Sequence, residues 1–344
     1  MSSSFSLFYE KIYGLYKKSV FLANICQWRI TEKIQSNYTQ KNQHKYQFLP
    51  FCHRKILFLK KILSFYMFSV YTHRKQKERK MSKDIALYST EQFDGMRKAG
   101  RLAAETLDFI TPYVVPGVTT GRLDELLEQF MRDNGGIPAT LGYRGYPKAS
   151  CISANHIVCH GIPGDKVLYD GDIVNIDITP IVDGWYGDSS RMYFVGTPSV
   201  KAKRLVQNAY ASMMAGIKAA VIGNTMGDIG HAIEQCAKSE RFSVVEDFCG
   251  HGIGQEFHLS PNVLNYGRKG EGMKIKEGMI FTVEPMVNFG SGATLVLSDG
   301  WTAITKDRSL SAQFEHTIGI TKNGPEIFTL SPKGFDFPPY IERS

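Results

Sequence analysis

The sequence predicts an α+β fold made of two similarly arranged halves packed around one central sheet. Three observations carry this reading: stretches of helical periodicity come in pairs, each pair leads into strand-like sequence, and the layout occurs twice after residue 81. In the first unit Ser89-Thr-Glu-Gln92 has the form of a capping box. Phe93, Met96, Ala103, Leu107 and Ile110 then recur at helical spacing to about Thr111. Pro116-Gly117 breaks the chain, and a second helix places Leu123, Leu126, Leu127 and Phe130 on one face before Gly135-Gly136 ends it. Strands are expected over 172–179 and 185–195. In the second unit Pro198-Ser199 opens a long helix carrying Leu205, Ala209, Met213, Ile217 and Ala220. Gly223 interrupts it, and Ile229, Ile233 and Ala237 mark the next helix. Strands are expected over 242–248, 279–283, 301–305 and 313–320. The halves share little literal sequence, so the duplication is one of layout.

The formal charge of +8 divides unevenly. Residues 1–80 carry 16 Lys and Arg against 3 Asp and Glu, a net of +13, which leaves 25 basic and 30 acidic residues, a net of −5, for the rest. The chain reads as a basic extension joined to a mildly acidic globular domain over 81–344. The overall charge is therefore no argument for a stable nucleic-acid partner of that domain. Within the extension the most apolar run, Ile62 to Tyr71, is half the length of the about 20 residues a membrane helix needs. It lacks the layout of a secretory signal. Its acid-poor composition suits an organelle transit peptide, but it is rich in Lys rather than in Arg and Ser. Met81-Ser-Lys-Asp84 is a candidate translation start, which would leave 1–80 as an upstream stretch that does not fold. The six cysteines form no CxxC pair and no dense scaffold, which favours a reducing compartment, the cytoplasm, and disfavours a structural zinc site.

Five residues stand out chemically. Asp177 lies in the alternating strand Val174-Asn-Ile-Asp-Ile-Thr179, on the polar face with Asn175 and Thr179. Asp183-Gly184 is a hairpin signal that folds Asp188 back beside Asp177. Two like charges on adjacent strands repel unless a cation lies between them; two solvated strand aspartates are the plainer alternative. Glu284, in Met279-Ile-Phe-Thr-Val-Glu-Pro285, and Glu315, in Ser311-Ala-Gln-Phe-Glu-His-Thr-Ile318, sit in core-like strands where a lone glutamate is costly. His251 lies in Cys249-Gly-His-Gly-Ile-Gly254. Alone, such a residue is more often a loop histidine than a ligand. Together, four carboxylates and one imidazole form a hard, oxygen-rich set suited to two divalent ions (Mn, Fe(II), Co or Zn) and to hydrolysis.

With those residues in place, the chain from about Met81 to Pro339 resembles the bacterial-type (type I) methionine aminopeptidases. The matching stretches are Cys159-His-Gly-Ile-Pro163, Asp170-Gly-Asp-Ile-Val-Asn-Ile-Asp177, Gly187-Asp-Ser189, Gly250-His-Gly-Ile-Gly254, Phe281-Thr-Val-Glu-Pro-Met286 and Ser311-Ala-Gln-Phe-Glu-His-Thr317. The resemblance implies the pita-bread fold, in which pseudo-two-fold halves set helices outside a central antiparallel sheet. It implies that Asp177, Asp188, His251, Glu284 and Glu315 are the metal ligands, with Asp188 and Glu315 bridging and Glu284 shuttling protons. His160 and His258 would bind substrate near the scissile bond. Tyr143, Tyr146, Cys151, Phe257 and Trp301 would line the methionine pocket. The implied partners are peptides and nascent chains with an N-terminal methionine and a small second residue, with the ribosome a transient contact and the monomer the default state.

Two departures from the family pattern are Thr140, where relatives often carry Cys, and Gln255-Glu256, where Arg-Gly is common. The 33 residues from His251 to Glu284 leave no room for the helical insertion of type II enzymes. An Xaa-Pro peptidase of the same fold would share all five ligands, and a binding protein without catalysis would be expected to have lost some of them.

Overall fold

The computed structural model describes residues 85–340. The expectations for residues 1–80 and for a start at Met81 lie outside the described residues. Four long helices form where periodicity places them: α1 (Phe93–Ile110), α2 (Thr120–Asp133), α3 (Val200–Ala219) and α4 (Met226–Ser239). Their starts are fixed by side chains. The Ser89 and Gln92 pair exchanges two hydrogen bonds, of 2.9 and 3.4 Å, one turn before α1 becomes regular. Thr119 caps α2, Ser199 caps α3, and Thr225 with Asp228 closes a capping box on α4.

The strands in chain order are β1 (Ile137–Pro138), β2 (Cys151–Ala154), β3 (Ile157–Cys159), β4 (Ile173–Ile178), β5 (Pro180–Val182), β6 (Trp185–Tyr186), β7 (Ser189–Phe194), β8 (Ser243–Val244), β9 (Cys249–Gly252), β10 (Leu259–Leu264) and β11 (Ile280–Val283). They continue with β12 (Met286–Asn288), β13 (Thr294–Val296), β14 (Ala303–Thr305), β15 (Ser311–Gln313), β16 (Glu315–Thr321) and β17 (Gly324–Ile327). The central antiparallel sheet runs β10-β9-β11-β16-β7-β4-β2, with β17 also on β16. The first half supplies β2, β4 and β7 and the second supplies the rest, so the halves join where β7 meets β16. Val174, Ile176 and Ile178 face a core with Leu107, Ile110, Leu123 and Leu127 of α1 and α2. Phe281, Val283, Ile318 and Ile320 face the corresponding core with Leu205, Met213, Ile229 and Ile233 of α3 and α4. Each half thus buries its own helix pair, and the fold is the pita-bread architecture the sequence implied.

Three expected elements differ. The strand expected over 185–195 is two: β6 turns back on β5 around Asp183-Gly184, both with positive φ (52° and 81°), while β7 stays in the main sheet. Gly187, at the break, packs its Cα against the Ala99 backbone of α1, where no side chain fits. The strand expected over 242–248 shrinks to Ser243–Val244. The carbonyls of Val245 and Phe248 are taken by Asn265 Nδ2, at 3.1 and 3.2 Å, instead of by a ladder. The strand expected over 313–320 breaks at Phe314, so that Ser311–Gln313 pairs with β12 while β16 stays in the main sheet. The Gly-His-Gly stretch, for which no strand was expected, is one. β9 is sandwiched between β10 and β11 so tightly that a Cβ at Gly250 would come within 2.5 Å of the Thr282 carbonyl. No helix among the described residues is long and apolar enough to cross a membrane.

Candidate metal centre

Strand register brings four of the five candidate ligands onto one face. Cys151 pairs with Asp177, Asp177 with Ser190, and Ser190 with Glu315, which gives one row across β2, β4, β7 and β16. Side chains two residues apart share a face, so Thr179, Asp188, Thr317 and Thr282 form a second row beside it. Hydrogen bonds mark this row. Thr179 Oγ1 donates to Asp188 Oδ1 at 2.7 Å, Thr317 Oγ1 donates to the Asp188 carbonyl at 2.7 Å, and the His251 N–H donates to Thr282 Oγ1 at 2.9 Å. Glu284 follows β11 directly. Thr282 Oγ1 donates to its Oε1 at 2.8 Å and Gln313 Nε2 to its Oε2 at 3.3 Å.

His251 closes the cluster. Its Nδ1 lies 3.1 Å from the Gly252 carbonyl, which requires a proton on Nδ1 and leaves Nε2 as the free lone pair. Nε2 is 3.5 Å from Asp188 Oδ2 and 3.6 Å from Glu284 Oε1. One ligand atom each from Asp188, His251 and Glu315 lies within 4.8 Å of the others.

The electrostatics show what the cluster lacks. Burial, then the charges of Asp188 and Glu284, pushes the Asp177 carboxyl well above its usual range. Burial and the same two neighbours do so for Glu315. Glu284 is pushed up to about 7, mainly by burial. For His251 burial acts downward, but Asp188 and Glu284 outweigh it and the net shift is upward. Among the described residues no lysine or arginine pairs with any of the four carboxylates. Buried anions without a counter-charge are expensive. Four carboxylates and an imidazole presenting its lone pair form a donor set that fits divalent cations.

Two aromatic groups flank the cluster. Tyr143 packs on Phe257 (ring centroids 4.9 Å apart) and stacks on His258 (5.2 Å), and His258 lies 4.1 Å from the His251 ring. Tyr146 meets Trp301 edge-on at 5.2 Å, and Trp301 meets His160 at 6.1 Å. Tyr146 is buried, with its hydroxyl on the carbonyls of Ser150 and Gly161 at 3.1 and 3.0 Å. Burial raises the pKa of the Cys151 thiol, which stays protonated beside Asp177. His160 adopts a left-handed backbone (φ 55°), and burial lowers its pKa. His258 is lowered as well, by burial and then by His251. Both rings are therefore neutral at pH 7. The sequence reading missed the threonines as supports and Gln313 altogether. A signal for the threonines was present: each stands two residues from a ligand or pairs across a strand with one.

A metal-dependent hydrolase is the class of protein this sheet and this ligand set define. Residues 94–322 match metallopeptidase family M24. The chain is 58% identical over 257 residues to the methionine aminopeptidase of Rickettsia prowazekii, spanning 74% of this chain and 99% of that protein. The crystal structure of methionine aminopeptidase from Rickettsia prowazekii superposes with a TM-score of 0.71 and 57% identity, covering 72% of this chain and all of that one. Methionine aminopeptidase from Thermotoga maritima does so with a TM-score of 0.70 and 38% identity, covering 72% and 99%. The chain belongs to metallopeptidase family M24 and, within it, to the bacterial-type methionine aminopeptidases, which are hydrolases.

Proposed function

We propose that this chain removes the N-terminal methionine from nascent proteins by two-metal-assisted hydrolysis of the first peptide bond. The observation that carries the reading is the buried set of four carboxylates and one imidazole, without a basic partner among the described residues, in a chain of this family. Asp177, Asp188, His251, Glu284 and Glu315 would hold two divalent ions (Co, Mn, Fe(II) or Zn). Metal ions there would supply Lewis acidity, to acidify the attacking water and polarise the scissile carbonyl. Glu284, held by Thr282 and Gln313, takes the proton from that water and delivers it to the leaving amine. His258 and His160 enter as neutral imidazoles and donate to the carbonyl oxygen as negative charge develops on it. Tyr143, Tyr146, Cys151, Phe257 and Trp301 receive the methionine side chain, whose thioether suits aromatic edges.

The preferred second residue is small, the encounter with the ribosome is transient, and the chain acts as a monomer in the cytoplasm. Residues 81–344 are the catalytic unit and 1–80 a separate extension, and intact-mass measurement of the native protein reports where the chain begins. The reaction is tested by loading the full chain with each of the four metals and assaying Met-Ala-Ser against an Xaa-Pro peptide. Release of free methionine is expected, with Asp188→Ala and Glu315→Ala inactive and depleted in metal. No release with any of the metals, or full activity in either variant, refutes the reading.

A further inference from the structure

We infer that Arg144 selects substrates by charge: its guanidinium, at the mouth of the methionine pocket, pairs with an acidic side chain on the third residue of the peptide. The inference rests on the aminopeptidase reading above and concerns the part of the substrate that leaves. Arg144 is exposed at the middle of the short turn Tyr143–Gly145. Its backbone is left-handed (φ 49°, ψ 26°), as is that of Gly142 (82°) before the turn and of Gly145 (90°) after it. Glycine takes this region freely, whereas an arginine there is strained. Three hydrogen bonds impose the conformation: the Gly142 N–H donates to the Tyr146 carbonyl at 2.8 Å, the Gly145 N–H to the Gly142 carbonyl at 3.2 Å and the Tyr146 N–H to the Tyr143 carbonyl at 2.9 Å. Strain held in this way gathers at functional sites.

The turn sets the guanidinium beside the site. Its central carbon lies over the Tyr143 ring, 5.2 Å from the centroid. That ring stacks on His258 at 5.2 Å and packs on Phe257 at 4.9 Å. Burial and then His251 lower the pKa of His258, and the charge of Arg144 adds to them, so the guanidinium is felt at that imidazole. An extended chain carries its third residue about 7 Å beyond its first. That is within the span of the two stacked contacts from His258 to Arg144.

Among the described residues no carboxylate pairs with Arg144. Arg97, Arg101, Arg122 and Arg132, on α1 and α2, each hold an acid within one helical turn. Glu256, one residue before Phe257, bears on Tyr88. The guanidinium at the pocket mouth therefore keeps its N–H donors for a carboxylate from outside. With a small second residue, the third is the first downstream side chain free to be long. A glutamate there supplies the planar partner that a guanidinium fork matches.

The test is a cycle of protein against substrate on the full-length, metal-loaded chain. Methionine release is followed from Met-Ala-Glu-Gly-amide and Met-Ala-Gln-Gly-amide, which differ only in the charge of the third residue. The Glu-to-Gln ratio of kcat/KM is expected to be about two- to fivefold higher in the wild type than in Arg144→Gln, the worth of one exposed ion pair. The difference should sit in KM, and Arg144→Lys should keep part of it. It should vanish near 1 M salt, where the screening length is about 3 Å. Equal ratios in wild type and Arg144→Gln overturn the assignment, even if the variant is slower on both peptides, since equal slowing is the mark of a structural role. Should Arg144→Gln fail to fold, the salt series on the wild type decides, and a ratio unmoved by salt overturns the assignment. Wild-type protein that releases no methionine from either peptide refutes the aminopeptidase reading and this assignment with it; turnover of both with equal ratios sinks only the role of Arg144.

Discussion

Replacing Asp108 with alanine would strand the Arg191 guanidinium inside the protein. Asp108 and Arg191 are 4% and 2% exposed, and their charged atoms meet at 2.5 Å between α1 and β7. Ser331 Oγ adds hydrogen bonds of 2.9 Å to both Asp108 oxygens, while the other contact of the guanidinium is a long one, 3.4 Å, to the Ala104 carbonyl. With Asp108 gone, Arg191 keeps only that weak acceptor among the described residues. Breaking one side of a buried pair costs about 3–5 kcal/mol, because the remaining charge stays desolvated. In a domain of this size each kcal/mol moves the melting temperature by about 2–4 °C, so Asp108→Ala should melt roughly 6–20 °C lower. Removing both charges removes the penalty: Asp108→Leu with Arg191→Met should regain most of the loss, since apolar replacement of a buried pair is often neutral or stabilising. Urea unfolding of the parent, Asp108→Leu, Arg191→Met and the double variant closes the cycle. A single variant within about 1 kcal/mol of the parent, or a double variant as damaged as the sum of the singles, would refute the reasoning.

Other outcomes follow from the site. Thr282→Val removes the hydroxyl that orients both Glu284 and the His251 amide, and metal affinity should drop by about 10–100-fold in a metal titration. In chelated protein the folded-state pKa values of Asp177, Glu284 and Glu315 are raised above their unfolded values. The folded form then binds more protons than the unfolded one, so the stability of the metal-free protein should fall as pH rises from about 4.5 to 7, and urea midpoints that rise instead would contradict this. Adding metal at 100 times its Kd should restore about 2.7 kcal/mol, read as an increase in the urea midpoint. Trp301→Ala opens the wall shared with Tyr146 and His160 and should raise KM about tenfold with kcat less affected, measured on Met-Ala-Ser.

The carboxylates were legible because a charge inside an apolar strand is locally conspicuous, and the period of two put Asp177 on a polar face that the registers of β4 and β7 then reproduce. The strand character of His251 was not legible. Glycine on both sides is the ordinary mark of a loop, and only the close approach of β11, absent from any local window, makes those glycines a requirement of packing. Gln313 carries no local signal at all, since its partner Glu284 lies 29 residues away. The Asp108 and Arg191 pair spans 83 residues, and a charged residue within a helix reads locally as a solvated position. What sequence cannot supply is the partner.

That limit also bears on how the halves are held. The register across the seam consists of Glu315 with Ser190 and His316 with Ser189. Side chains reinforce it: Ser189 Oγ donates to the Glu315 carbonyl at 2.9 Å, Thr317 Oγ1 to the Asp188 carbonyl, and Asn175 to Gln313. Asp177 and Asp188 belong to one half, and His251, Glu284 and Glu315 to the other. Cations bound by this set would therefore join the two halves directly, whereas in chelated protein the buried carboxylates, raised mainly by burial and then by one another's charge, must take up protons or repel across the seam. Metal occupancy and the docking of the halves become one equilibrium. Chelation should accordingly raise hydrogen exchange first along β7 and β16, ahead of the helix-packed cores. Uniform loss of protection across both halves would show that the seam gains nothing particular from the metal.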